Sequence, residues 1–265
     1  MLTWASPHPD AIDWQHRATA NGGLTHNLHR DAASRLCKGL DSAGLASEMV
    51  EVYAFLGDNV PAVCTKLFYS AVGSNQLANS SNWLDSNIVA FGGLKDPANT
   101  SKRILTNMVI STALAGKESV AGVHWYTRDT IVGGSQVVFG NSSVAGGQGF
   151  ICGWVSSGTR DSGTVAGTGN YPAGAAPSVA GFQGASNLSS RQTQFFLNGV
   201  ATGAVGTASS GTWLASNALV IGANGTATFW KRDTLYGDVT IGLTAADELR
   251  LSQSVKAFQQ FLNRA

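Results

Sequence analysis

Pairs of acidic residues are the first feature of this chain that could do chemistry, because glycosidic bonds are hydrolysed between two carboxyl groups. The closest pairs are Glu48/Glu51 and Asp247/Glu248. The first pair spans a predicted helix-to-strand junction, and the second opens a predicted helix. Neither places alternating carboxylates along one strand, so the sequence does not predict a hydrolase of that kind, although acids distant in sequence could still meet in the fold.

Other catalytic motifs are missing from the sequence. There is no Gly-x-Ser-x-Gly nucleophile motif and no Gly-x-x-x-x-Gly-Lys-Ser/Thr phosphate loop. The glycines of Gly167-Thr-Gly169 lack the third glycine of a dinucleotide-binding motif and lie in a stretch of turn composition. We therefore expect no enzymatic activity and no cofactor.

Two segments contain residues that bind metals in other proteins. His26-x-x-His29 has Asp31 nearby, and three such residues in a turn-rich segment are more typical of solvated or hydrogen-bonding side chains. The segment 79–87 offers one carboxylate, Asp85, among amides, which is little charge for calcium. Polar turns are the preferred interpretation of both segments, and no metal site is predicted.

Ligand-binding residues are expected in a region of predicted long loops, 156–190, which is rich in Gly, Ala, Ser and Pro. Sugars stack on aromatic rings while polar groups bind their hydroxyls. The candidates in and beside these loops are Trp154, Arg160, Asp161, Asn170 and Tyr171. Each has a structural alternative, since Trp154 could belong to the core and Arg160/Asp161 to a solvated turn.

The composition argues against a nucleic-acid-binding protein and against a membrane-spanning one. The chain has 265 residues, 32 glycines, 12% charged residues and a net charge of +1. Between Thr130 and Trp230 the only charged residues are Arg160, Asp161 and Arg191. Without clustered Lys and Arg, nucleic-acid binding is not expected. No run is apolar enough for a membrane helix, and the first residues do not form a signal peptide.

The three cysteines, Cys37, Cys64 and Cys152, are widely spaced and odd in number. They predict no disulfide framework and no Cys-x-x-Cys metal motif. Buried free thiols in a protein made in a reducing cytoplasm are the expected state.

The elements that would position these residues are mainly short strands. Residues 1–30 are predicted to be an irregular arm with Trp4 and Trp14, which could be a docking segment or equally the first strand of the sandwich preceded by a loop. Residues 31–265 are predicted to be one domain with a helical lead-in over 31–50. The strongest strand candidates are 51–56, 120–127, 135–139, 150–155, 218–223 and 229–242, with an Asn-Gly hairpin at 198–199. Thr244 and Asp247 predict the start of a final helix, with Leu251, Val255, Phe258 and Leu262 on one face.

Three stretches resemble a known family. They are the lead-in Arg35–Leu45 with Ser47–Phe55, the strand Val123-His-Trp-Tyr-Thr-Arg-Asp129, and the closing hairpin and helix at Phe195–Val200 and Ile241–Asp247. Together they resemble the concanavalin A-like, LamG-type jelly roll of bacteriophage and prophage virion proteins. The resemblance implies a mainly β fold, an antiparallel β-sandwich jelly roll with a short N-terminal helix and a C-terminal helix.

The function implied by the resemblance is that of a non-enzymatic phage virion structural protein. A tail-fibre or receptor-binding module for host cell-surface glycan is the leading version, with Trp4 and Trp14 as residues of a virion anchor. The alternatives are a capsid decoration or head-fibre protein and, from a different class, a polysaccharide-degrading enzyme. The implied partners are other virion proteins and host polysaccharide, in a homotrimer by analogy, and the implied location is the virion, assembled in the bacterial cytoplasm.

Overall fold

The computed structural model of the chain describes residues 6–69, 74–79, 83–88, 93–95, 102–128, 136–141, 151–154, 159–163, 174–175, 180–189, 192–207, 218–224, 228–229 and 233–264. Within these ranges the helices are α1 (Pro9–Ala20), α2 (Asn27–Ser42), α3 (Val60–Val63), α4 (Ile110–Ala113) and α5 (Ala245–Phe261). The strands are β1 (Met49–Tyr53), β2 (Ile104–Val109), β3 (Ala121–Thr127), β4 (Gln136–Asn141), β5 (Ile151–Trp154), β6 (Thr159–Gly163), β7 (Gly174–Ala175), β8 (Gly181–Ser189), β9 (Gln192–Leu197), β10 (Val200–Thr207), β11 (Ala218–Ile221), β12 (Ala223–Asn224), β13 (Thr228–Phe229) and β14 (Tyr236–Ile241).

Two antiparallel sheets form the body of the fold. The first has the strand order β1-β14-β3-β8-β9-β10 and the second the order β2-β11-β4-β5-β6-β7. Trp125 and Phe195 of the first sheet and Phe139 and Leu219 of the second belong to one buried apolar cluster, so the sheets pack face to face. This confirms the predicted mainly β, antiparallel sandwich with helices near both ends of the chain.

The first sheet is covered on its other face by helices. Along β3, Val123 and Trp125 point into the cluster between the sheets, while Tyr126 joins a second cluster with Phe258 of α5 and Trp14 of α1. Strand side chains alternate between faces, so every second residue of the central strands meets a helix. The fold therefore has three layers, with the first sheet in the middle.

The N-terminal residues differ from the predicted irregular arm. Residues 9–20 form α1, which begins with Pro9 in its first turn and the His8 side chain accepting from the backbone N–H of Asp10. Trp14 is fully buried, and its indole N–H donates to the carbonyl of Thr65 at 3.1 Å. Trp14 thus packs inside this chain. Trp4 lies outside the described residues.

The helical lead-in begins and ends earlier than its predicted range of 31–50. α2 begins at Asn27 with His26 as its N-cap, not at Asp31, and buries Leu36 and Leu40. After α2, residues 46–48 form a short 3₁₀ turn, and the strand starts at Met49 instead of Glu51. None of the described helices is both long and apolar enough to cross a membrane.

The final helix matches its prediction. Thr244 Oγ1 accepts from the backbone N–H of Asp247, and the Asp247 carboxylate accepts from the backbone N–H of Thr244 at 2.9 Å. The apolar face (Leu251, Val255, Phe258 and Leu262) is buried against the first sheet. Local capping and helical spacing were sufficient to predict this element.

Replacing Thr244 by alanine is expected to lower the free energy of unfolding by about 1 kcal/mol, the usual effect of losing an N-cap. Thr19→Ala is the matched control, because Thr19 is an exposed residue near the end of α1 that caps no helix N-terminus. Urea denaturation of both variants measures the difference. Equal stability of the two variants would contradict the capping role.

A strand within the predicted loops is the largest departure from the sequence-based fold. β8 runs through residues 181–189 and lies between β3 and β9 in the first sheet. Residues 181–187 are all buried, although Gly181-Phe-Gln-Gly-Ala has the composition of a loop. Gly184 of this strand is needed because the His124 side chain of the neighbouring strand β3 occupies the space where a Cβ would lie.

Candidate functional site

A buried polar cluster lies on the helix-facing side of the first sheet. His124 of β3 is paired directly with Asp238 of β14 and with Gly184 of β8, and Ser186 lies two residues further along β8. Glu248, in the first turn of α5, completes the cluster from the helix layer. All four polar side chains are almost fully buried. We call these four residues, His124, Ser186, Asp238 and Glu248, the His124 cluster.

The distances resemble a Ser-His-Asp catalytic triad. His124 Nδ1 lies 2.6 Å from an Asp238 carboxylate oxygen, and Ser186 Oγ lies 3.3 Å from His124 Nε2. In a catalytic triad the acid orients the imidazole and the free imidazole nitrogen takes the serine proton. The order of groups alone would therefore suggest nucleophilic chemistry at Ser186.

Three observations exclude that chemistry for the folded chain. Glu248 Oε2 lies 3.0 Å from His124 Nε2, and Ser186 donates its hydroxyl proton to Glu248 Oε1. Burial alone would lower the pKa of His124, but the neighbouring Glu248 and Asp238 outweigh it and raise that pKa to about 10. A protonated imidazole cannot act as a base, and no substrate reaches fully buried side chains. The His124 cluster is therefore a structural ion network.

Glycines make room for this network. A Cβ at Gly184 would overlap the His124 ring, lying 2.8 Å from Cγ and 2.9 Å from Nε2. At Gly122 a Cβ would lie 2.8 Å from Thr240 Oγ1 and even closer to Ser186 Oγ. Phe182 stacks on the imidazole with ring centroids 5.4 Å apart. The loop-like composition of β8 is thus explained by the ring that its backbone must accommodate.

Three of the four acidic residues considered as catalytic candidates, Glu51, Asp247 and Glu248, have structural roles. Glu51 is buried, with Lys66 Nζ 2.8 Å from both carboxylate oxygens and the Tyr53 hydroxyl donating to it at 2.6 Å. Glu248 belongs to the His124 cluster, and its neighbour Asp247 caps α5. The sequence reasoning missed the cluster itself. The available signal was a histidine in the middle of an apolar strand, which a core accepts only with polar partners.

An open cleft lies where α1 meets the start of β1 and the segment 67–69. Its volume is about 370 Å³, and its lining consists of Asp10, Asp13, Arg17, Ala46, Met49, Val50, Leu67, Phe68 and Tyr69. We call it the Tyr69 cleft. Tyr69 is 42% exposed, and the Asp10 and Asp13 side chains are more than half exposed. Unlike the His124 cluster, these groups can be reached from solvent.

Arg17 organises this cleft. Its Nε donates to Asp13 at 2.6 Å, and its terminal nitrogens donate to the carbonyls of Lys66 and Leu67 at 2.8 and 3.1 Å. The guanidinium carbon also lies 5.0 Å from the centre of the Tyr69 ring. One side chain thus ties helix α1 to the segment that carries the exposed aromatic ring, so the lining is held in place before any ligand arrives.

The predicted ligand-binding residues lie elsewhere or are not described. In the hairpin of β5 and β6, Trp154 is paired with Arg160 and Gly153 with Asp161, in the second sheet. None of these residues lines the Tyr69 cleft. Asn170 and Tyr171 lie outside the described residues. Their binding role stays a prediction.

Among the described residues, two groups of side chains could hold a metal ion. The first group is His8, Asp10 and Cys37. Burial, together with Asp10 and Asp41, raises the pKa of the Cys37 thiol, so the thiolate that would bind a metal is disfavoured. His8 Nε2 already lies 2.7 Å from Asp41. A second group joins His26 and His29 to Asp58.

The carboxylates that were expected near metal-binding segments are engaged elsewhere. Asp31 pairs with Arg30, so it is not the acidic partner of the two histidines. Asp85 accepts from the backbone N–H of Val60 at 2.7 Å, which is a role in the loop structure.

No protein-family model matches the sequence, and no curated protein shows significant similarity to it. Solved structures of a Trypanosoma rangeli sialidase resemble the fold. The complex with the inhibitor DANA is 12% identical with a TM-score of 0.56, over 94% of this chain and 38% of the sialidase chain. The complex with sialic acid is 12% identical with a TM-score of 0.52, over 86% and 39%. A mutant displaying trans-sialidase activity is 13% identical with a TM-score of 0.51, over 86% and 39%.

These neighbours correct the predicted function. The chain spans about two fifths of the length of the sialidase chains. At a sequence identity of 12%, the similarity shows a shared fold and nothing more. The prediction of a non-enzymatic phage virion structural protein was wrong, because the neighbours are sialidases, which process glycans, and they give no link to phage. The expectation of no enzymatic activity is in tension with the same neighbours. The predicted partners, trimer and virion location stay predictions.

Proposed function

We propose that this chain works on glycans as part of a glycan-degrading protein, and that the Tyr69 cleft binds the sugar. The observation that carries the proposal is an exposed aromatic ring beside exposed carboxylates in a preformed cleft. The fold likeness to part of a sialidase supports it, since those structures hold sialic acid or the inhibitor DANA.

The lining suits a sugar in size and chemistry. Small-molecule sites have volumes of roughly 300 to 1,000 Å³ and combine an apolar surface with a few polar groups. In the Tyr69 cleft the apolar surface is the Tyr69 ring with Phe68 and Met49, and the polar groups are Asp10 and Asp13. An apolar sugar face stacks on such a ring while carboxylates accept from its hydroxyls. One or two sugar residues of a longer glycan are the expected occupant.

The charges of the cleft favour a neutral sugar over sialic acid. Asp10 and Asp13 are both acidic, and the single arginine already pairs with Asp13 through its Nε at 2.6 Å. A sugar carboxylate would face two like charges with no unpaired guanidinium to bind it. The proposed ligand therefore differs in charge from the acidic sugar in the sialidase complexes.

Hydrolysis in the same cleft is the second candidate function. Asp10 and Asp13 are three residues apart in α1, which places them on one face of the helix, and both line the cleft. Two carboxyl groups on either side of one bond are the usual requirement for glycoside cleavage. Release of reducing ends from a bound glycan, abolished by Asp10→Asn and Asp13→Asn, would establish hydrolysis. Binding without release would limit the chain to recognition.

Replacing Tyr69 by alanine is expected to weaken binding of a neutral oligosaccharide at least about tenfold, because the stacking surface is lost. A glycan array selects the oligosaccharide, and isothermal titration calorimetry measures its dissociation constant. Tyr69→Phe is the matched control, since it keeps the ring and should retain most of the affinity. An unchanged affinity in Tyr69→Ala, or selection of sialylated glycans only, would contradict the proposed site.

A further inference from the structure

Two histidines and a carboxylate converge where the start of α2 meets the loop after β1. The rings of His26 and His29 stack with centroids 3.9 Å apart. His26 Nε2 lies 3.5 Å from Asp58 Oδ2, and His29 Nε2 lies 3.7 Å from Asp58 Oδ1. The ligand atoms of the three side chains all lie within 4.8 Å of one another. The Tyr69 cleft contains none of these residues.

The buried member of the group lacks a hydrogen-bond partner at one nitrogen. His29 is 0% exposed, and its Nε2 makes no hydrogen bond. An unpaired polar atom in a core destabilises the fold unless something binds it. His29 Nε2 is directed at Asp58, at a distance too long for a hydrogen bond but suited to two atoms that share a metal ion.

We propose that His26 Nε2, His29 Nε2 and the Asp58 carboxylate bind one divalent metal ion of the zinc type. Imidazole and carboxylate ligands suit zinc, with bond lengths of about 2.0 to 2.2 Å. Two ligand atoms of a tetrahedral zinc ion are then roughly 3.4 Å apart. The separations of 3.5 and 3.7 Å, one to each oxygen of the Asp58 carboxylate, are close to this value.

The fourth ligand is a water molecule, because three side chains leave one tetrahedral position open. His26 and Asp58 are about half exposed, so that position is accessible from solvent. An open position is typical of zinc sites that bind or activate a small ligand, while closed four-residue sites are structural. The site is therefore both a link between two chain segments and a place for an exchangeable ligand.

The Asn59 side chain and one backbone hydrogen bond hold the two segments together before any metal binds. Asn59 accepts from the backbone N–H of Leu24 at 2.8 Å and donates to the carbonyl of Gly22 at 3.0 Å. The backbone N–H of Asp58 donates to the carbonyl of Leu24 at 3.0 Å. Because these bonds join the residues just before His26 to the residues beside Asp58, the ligand geometry does not depend on the metal for its assembly.

One contact opposes metal binding, and it is weak. The backbone N–H of His26 donates to His29 Nδ1 at 3.4 Å, and this long hydrogen bond is lost when Nε2 binds a metal and Nδ1 carries the proton.

Zinc binding to the full chain, freed of metal by a chelator, tests the proposal. Isothermal titration calorimetry is expected to show one zinc ion per chain, and cobalt is expected to give the visible absorption of a tetrahedral ion. His26→Ala and Asp58→Asn should each weaken zinc binding by more than the roughly 10- to 100-fold lost with outer-shell residues. Both positions are exposed, so circular dichroism should show folded variants. His29→Asn adds a test at the buried position.

His16→Ala is the matched control, because His16 is an exposed histidine of α1 outside the group. It should bind zinc like the parent chain, and zinc should raise the melting temperature of both. His26→Ala and Asp58→Asn should lose that rise. Absence of zinc binding, or binding that survives both of these substitutions, would overturn the proposal. The second result would direct attention to His8, Asp10 and Cys37.

Discussion

Replacing His124 by leucine is expected to lower the free energy of unfolding by at least about 3 to 5 kcal/mol, the usual effect of removing one partner from a buried ion pair. The substitution leaves Asp238 and Glu248 in the core without the cation that lies 2.6 and 3.0 Å from them. Domains of ordinary stability unfold with about 5 to 15 kcal/mol, so this loss removes a large fraction of the total. Urea denaturation followed by circular dichroism measures it.

A rescue variant keeps this prediction testable when the single variant does not fold. Combining His124→Leu with Asp238→Asn and Glu248→Gln removes the buried charges together. The triple variant should recover part of the lost stability, because replacing a whole buried ion network is much less harmful than breaking it. Leu249→Gln is the control on α5, since Leu249 is exposed beside Glu248. A loss below 1 kcal/mol in His124→Leu would contradict the proposed network.

The pH dependence of the free energy of unfolding tests the contribution of His124 independently. Burial lowers the pKa of His124, but Glu248 and Asp238 outweigh burial and raise it to about 10 in the folded chain. The unfolded value is about 6.5. Its contribution to stability is therefore fully present below pH 6.5 and is lost as the pH rises through about 10. The triple variant, compared at pH 6 and pH 10.5, should lack this part of the pH dependence.

Local sequence signals predicted the elements whose geometry depends on neighbours in the chain. The cap at Thr244, the Asn198–Gly199 turn between β9 and β10, and the apolar strand around Trp125 were all recognised. Each depends on hydrogen bonds or side-chain periodicity within a few residues. Such features can be recognised in a sequence without knowing which distant residues they contact in the fold.

The sites could not be predicted in the same way, because their residues are distant in sequence. His124 is 114 residues from Asp238 and 124 residues from Glu248. Arg17 reaches the carbonyl of Leu67 across 50 residues. The metal group illustrates the same limit, since the sequence offered Asp31 as the acidic neighbour of His26 and His29, whereas the fold supplies Asp58. Side chains on separate elements meet only through the tertiary fold.

β8 was missed for a different physical reason. Strand propensity reflects how side chains fill a pleated, half-buried surface. Gly184 has no side chain, so its residue type gives no indication of a strand. At this position the surface is filled by the imidazole of the neighbouring strand. A residue with no strand propensity is thus required in a central strand, and composition alone led to the interpretation of a loop.

Replacing Gly184 by alanine is therefore expected to lower the free energy of unfolding by about 3 kcal/mol or more, at the upper end of overpacking effects. The added methyl group would overlap the His124 ring, 2.8 Å from its Cγ. The ring cannot move aside easily, because Asp238 holds one nitrogen and Glu248 the other. Thermal and urea unfolding of the purified variant measure the loss.

Two comparisons separate this overlap from a general effect of alanine. Gly39→Ala in α2 is the control, since the nearest atoms to its Cβ would be Ser254 Cβ and Oγ at 3.3 Å and alanine favours a helix by up to about 1 kcal/mol. In a chain that carries His124→Ala with Asp238→Asn and Glu248→Gln, the ring is gone and no atom beyond Cβ replaces it, so adding Gly184→Ala should lower stability by much less than it does in the parent chain. Equal losses in the two backgrounds would show that the imidazole is not what excludes a side chain from β8. Unequal losses would tie the loop-like composition of β8 directly to the buried histidine beside it.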